Sequence, residues 1–76
     1  MSAMTEQERV GARLRALREA SGLSQAQLAE KMHDAGHPWW QPTVSKVESG
    51  QRAVPSDEMK TVSEVLGITP DWAVAA

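Results

Sequence analysis

Ser24–Gln51, SQAQLAEKMHDAGHPWWQPTVSKVESGQ, is the stretch around which the chain is organised. It reads as two short helices joined by an irregular connection. Ser24 and Gln27 have capping-box spacing, which satisfies the first free N–H groups of a helix over about Gln25–Met32. Leu28 and Met32 make an i, i+4 apolar pair, and small Ala29 beside them lets another helix come close. The next helix, about Pro42–Ser49, opens at Gln41-Pro42, since proline at the first helical position gives up a donor with no intrahelical partner. Gly50 closes it. Val44 and Val47 face inward. Gln41, Thr43, Ser45, Lys46 and Ser49 are left outside, a short polar face with one cation. Such a face suits base edges and phosphates better than a protein core.

Upstream, Thr5-Glu6-Gln7-Glu8 is a second capping box, so a first helix is predicted over Glu6–Ala20 with Val10, Leu14 and Leu17 as its apolar stripe. Ser21-Gly22-Leu23 stops it. Downstream, Gln51–Pro55 connects to a helix over Asp57–Leu66, with Ser56 as N-cap and Met59, Val62, Val65 and Leu66 facing the core. Gly67-Ile68 closes that helix, and Thr69-Pro70-Asp71-Trp72 predicts a short fifth helix whose tryptophan plugs the core. Residues 1–5 are expected to be a flexible N-terminus.

The connection, His33–Trp40, is the least regular part, broken by Gly36 and Pro38. Two of the three aromatics, Trp39 and Trp40, lie in it. Either one ring caps the core while the other lies half exposed, or the pair contacts DNA or a partner subunit, as tryptophan often does at interfaces. His33 and His37 have only Asp34 nearby and a glycine between them, so no metal site is expected.

Seventy-six residues without cysteine allow one small domain, 1–76, and no disulfide framework. No apolar run approaches membrane-spanning length, and the N-terminus lacks a basic-then-apolar signal pattern. The net charge of −2 argues mildly against nucleic acid. Residues 9–20, however, carry four arginines against one acid, and what attracts phosphate is the face presented rather than the total. Arg9, Arg13, Arg15 and Arg18 can equally be an ordinary solvated helix face. No catalytic constellation, phosphate loop or cofactor motif is present, so an enzyme is not expected.

The segments LSQAQLAEKM, QPTVSKVESGQR and LGITPDW, taken together, resemble the phage repressor and Cro type of helix-turn-helix domain, the Xre family. The resemblance runs from about Arg9 to Trp72. It implies an all-α, compact five-helix bundle of the lambda-repressor type, with the helix-turn-helix formed by the second and third helices. It also implies roles for particular residues. Ser24 and Gln25 would hold a DNA phosphate, and Ser49 and Arg52 would meet the DNA backbone. Gln41 and Lys46 would read base edges, with Pro42, Thr43 and Ser45 beside them on the same surface. Arg18 and Glu48 match a pair that forms a salt bridge between the first and third helices. The departure is the turn. Val44 arrives fifteen residues after Ala29 where the family pattern places its apolar residue ten on, so the connection carries about five extra residues.

The function implied is sequence-specific binding of double-stranded DNA by a small cytoplasmic transcriptional regulator, in a bacterial cell or phage-infected host. Two subunits would read half-sites about one helical turn apart. Dimerisation, at least on DNA, would use the fifth helix, the loop before it or DNA itself. The alternative is a protein-interaction module or antitoxin of the same fold, engaging a protein partner through Trp39 and Trp40. No cofactor, metal or membrane enters either reading.

Overall fold

The computed structural model describes residues 3–74. Among them are four helices: α1 (Glu6–Ala20), α2 (Gln25–Asp34), α3 (Gln41–Glu48) and α4 (Ser56–Leu66). Residues 1 and 2 of the expected flexible N-terminus lie outside the described residues. Both predicted capping boxes form. Thr5 accepts from the Glu8 N–H while the Glu8 carboxylate accepts from the Thr5 N–H, and Ser24 and Gln27 do the same for α2.

Helix ends move slightly from expectation. α2 runs two residues further than predicted, because Gly36 (φ 98°) is its left-handed closing residue. The Gly36 N–H bonds to the His33 carbonyl and the His37 N–H to that of Met32, satisfying carbonyls that would otherwise be orphaned. α3 starts at Gln41 and ends at Glu48, and Ser56 is the first residue of α4 rather than its cap.

The fifth helix is not formed among the described residues. Pro70–Val74 is a run of turns in which the N–H groups of Trp72 and Val74 reach back only three residues, to Thr69 and Asp71. Arg13 Nε donates to the Trp72 carbonyl at 3.3 Å and Arg9 Nη1 to that of Ala73 at 2.7 Å. A short segment gains little from helix propagation, and the two arginines tie its turns to α1 instead. Trp72 still plugs the core, with its indole N–H on the Met59 carbonyl at 3.0 Å.

One apolar cluster holds the helices together. Val10 and Leu14 of α1, Leu28, Ala29 and Met32 of α2, Val44 and Val47 of α3, and Val62 of α4 are buried with Trp39, Val54, Trp72 and Ala73. α3 packs on both α1 and α2. The α1–α3 crossing is close because α1 carries Gly11 there: a Cβ at that position would stand 2.1 Å from the Val47 carbonyl oxygen. At the far end of α3, Gly50 (φ 81°) lies against Glu8, and a side chain would meet both that residue and backbone strain. No helix among the described residues is long and apolar enough to cross a membrane.

Candidate nucleic-acid interface

The predicted outward face of α3 is presented as expected from its periodicity. Val44 and Val47 are buried, while Gln41, Pro42, Ser45 and Lys46 are exposed and Thr43 is half-buried. Val44 and Val47 are three residues apart and share one side of a 3.6-residue turn, so burying that stripe turns the polar row to solvent. Lys46 makes no ion pair among the described residues. The Thr43 hydroxyl accepts from the Trp40 N–H at 3.1 Å, capping the start of the helix. Ser49 donates to the Lys46 carbonyl and accepts from Gln51, which holds the end of α3 together.

Behind this face runs a polar chain linking three helices. Arg18 Nε and Nη2 donate to the two Glu48 carboxylate oxygens at 2.6 and 3.1 Å, a fork matched to a carboxylate. Arg18 Nη1 donates to the Leu23 carbonyl at 2.7 Å. The pair is enclosed, with 9% and 4% of the two side chains exposed. The hydrogen bond to Glu48 raises the Arg18 pKa, outweighing the burial that would lower it. Gln25 Nε2 also donates to Glu48, at 3.0 Å, and its oxygen accepts from Gln41 Nε2 at 2.7 Å. Glu48 is thus fully occupied in the interior. The exposed polar row of α3 carries no acid.

The other predicted positions fall as follows. Ser24 is the α2 cap, with Gln25 at the head of that helix and joined to Gln41. Arg52 donates to Glu58 at 3.0 and 3.5 Å and lies 5.5 Å over the Trp39 ring. The two tryptophans part company. Trp39 is wholly buried, so only Trp40, 61% exposed and stacked 4.6 Å from the His33 ring, offers surface to a partner. The arginine cluster is likewise divided: Arg9 and Arg13 hold the C-terminal turn, Arg15 pairs with Glu19, and Arg18 with Glu48.

Two residues that matter to this site carried no readable signal. Gly11 sets the depth of the α1–α3 contact, but a lone glycine inside a helix looks like a tolerated defect. Glu58 lies in the acidic first turn of α4, where a charge favours the helix end, yet it is buried and accepts from the Trp39 indole N–H at 3.0 Å. A buried acid at that position could have been suspected only from a donor nineteen residues away.

A capped α2, an inward-anchored α3 with a polar outer row, and a buried arginine–carboxylate link between α1 and α3 are the parts of a helix-turn-helix domain. The family model for the helix-turn-helix domain matches residues 9–73, and the chain belongs to that family. The fold is similar to the crystal structure of the clp gene regulator ClgR from C. glutamicum, with a TM-score of 0.82 and 25% identity over 96% of this chain and 88% of that one. The likeness to the Cro and Xre type of helix-turn-helix therefore stands. Among curated proteins, none matches the sequence.

Proposed function

We propose that this chain is a sequence-specific, double-stranded DNA-binding transcriptional regulator that lays α3 in the major groove. The observation that carries the reading is the outer row of α3: Gln41, Pro42, Thr43, Ser45 and Lys46 stand away from the core, and the only acid of the helix is turned inward onto Arg18. Gln41 offers a bidentate partner for adenine, Lys46 a donor for guanine, and Pro42 an apolar contact for a thymine methyl. The α2 N-terminus, with Ser24 and Gln25, offers N–H dipoles to a phosphate, and Ser49 follows at the other end of α3. The similar ClgR chain is a gene regulator, which supports the same reading here. A repressor of the Cro type, acting as a homodimer on paired half-sites, fits a domain that presents one recognition helix.

The test is selection from a randomised duplex pool, repeated at two salt concentrations. Enrichment of a palindromic or repeated motif, with affinity falling steeply as salt rises, is expected. Lys46→Ala should then weaken binding to the enriched duplex by ~1–3 kcal/mol and to random DNA far less. Equal losses on both would remove Lys46 from base reading. A second reading, a protein-interaction module or antitoxin, is favoured by one observation, the exposure of Trp40 beside α3. A pool with no enrichment and feeble binding at low salt would leave that reading in its place.

A further inference from the structure

We infer that Glu58 is a positioning residue for the reading face, holding both ends of α3 from a helix that does not itself present that face; this rests on the DNA-binding reading above. The lengthened connection between α2 and α3 is not a free loop. Its Trp39, two residues before α3 begins, donates its indole N–H to Glu58 Oε1 at 3.0 Å. Arg52, four residues after α3 ends, donates to the same oxygen at 3.0 Å and reaches Oε2 at 3.5 Å. One carboxylate on α4 therefore ties the chain entering α3 to the chain leaving it.

Further contacts brace the same point. The Arg52 guanidinium lies 5.5 Å from the centre of the Trp39 ring, so the two residues that Glu58 binds also touch each other. His37, within the connection, stands with Nδ1 3.9 Å from Glu58 Oε2. Its Nε2 lies 2.8 Å from the Thr61 hydroxyl, which also stands 3.0 Å from the Asp57 carbonyl. The connection is thus stitched to α4 at two neighbouring positions. Arg52, expected at the DNA backbone, makes this internal contact in the free protein. Charge-assisted, directional bonds define an angle more narrowly than apolar packing does, and a turn with about five extra residues has no short-loop geometry to define it instead. Glu58 and Trp39 then govern which base each α3 side chain meets, without touching DNA.

Wild type, Glu58→Gln and Trp39→Phe are compared well below their melting temperatures, on the enriched duplex and on random duplex. Glu58→Gln should lower affinity for the enriched duplex about tenfold, leaving random DNA and the salt dependence unchanged. Trp39→Phe keeps an aromatic ring, removes the N–H and should act in the same direction; it carries the test alone if Glu58→Gln does not fold. A fall in melting temperature with an unchanged ratio of specific to random binding would mean a merely structural role and overturn the proposal. A direct phosphate role for Arg52 predicts the opposite sign. Releasing it from Glu58 would then raise affinity for both DNAs and steepen the log–log salt slope by about one, which also overturns the proposal. Hydrogen exchange of the Trp39 indole N–H, slow in wild type and fast in Glu58→Ala, which leaves it no acceptor, reports the clamp without DNA. If wild type binds no duplex, the DNA reading fails and the positioning role with it, while slow exchange would still mark the clamp as present.

Discussion

Gln41 and Gln25, the first residues of α3 and α2, are joined by a hydrogen bond of 2.7 Å from Gln41 Nε2 to Gln25 Oε1. Through Gln25 the bond continues to Glu48 and then to Arg18. The start of α3 is therefore connected to the interior pair that locks its end onto α1.

This chain of bonds makes a graded prediction for stability. Arg18→Ala leaves the enclosed Glu48 carboxylate without its main partner and should cost ~3–5 kcal/mol. Gln25→Ala leaves the arginine fork intact and removes one donor to Glu48, so a loss nearer ~1–2 kcal/mol is expected. Urea unfolding of the two variants checks the order. Equal losses would mean that Gln25, not the ion pair alone, keeps Glu48 satisfied.

Gly11→Ala should destabilise although alanine is the better helix former. Its Cβ would stand 2.1 Å from the Val47 carbonyl oxygen, and backbone cannot step aside as a side-chain tip can. Overpacking of this kind costs ~1–3 kcal/mol, which for a domain of this size lowers the melting temperature by roughly 4–20 °C. A thermal scan that shows a gain, as helix propensity alone would give, contradicts the close α1–α3 approach.

The neighbouring tryptophans should behave as opposites. Trp39→Ala empties a fully buried site and is expected to cost ~3–5 kcal/mol, whereas Trp40→Ala should stay within about 0.5 kcal/mol of wild type. An aqueous quencher should reach one tryptophan of three, since Trp39 and Trp72 are buried and Trp40 is not. Loss of the quenchable component in Trp40→Ala, and not in Trp39→Phe, is the confirming measurement.

Acid should loosen the start of α1. The Thr5 backbone N–H first, and its hydroxyl second, hold the Glu8 carboxyl below its ordinary value of 4.5. A carboxyl whose folded pKa is depressed contributes stability above the unfolded value and loses it as pH falls through the folded one. In a carboxyl titration followed by NMR, the Glu8 midpoint should therefore lie below 4.5 in wild type and rise in Thr5→Ala. An unchanged midpoint would mean that the hydroxyl does not contribute and that the backbone N–H alone holds the carboxyl down.

Much of the helix layout was legible because it is local. Thr5 and Ser24 need only the residue three positions on to cap a helix, and Gly50 and Gly67 act within one turn. The inward valines of α3 and its polar outer row follow from one period of 3.6 residues. Gly36 breaks regular structure as expected, but α2 ends two residues past Met32, where a His-Asp-Ala run gives no apolar periodicity to mark the end. The Arg18–Glu48 pair was legible only through resemblance, because its members are thirty residues apart.

What the sequence by itself determined is, to within about two residues, where each of the four helices starts and ends, and which stripe of α3 faces solvent; those are short-range steric and hydrogen-bonding facts. The tertiary structure alone decided that Trp39 rather than Trp40 enters the core, that Arg52 serves Glu58, and that Thr69–Val74 turns instead of forming a helix. Each of those outcomes is a choice between partners for a donor or a ring. The partners, Glu58 for Trp39 and the Ala73 carbonyl for Arg9, come within reach only when the helices have packed.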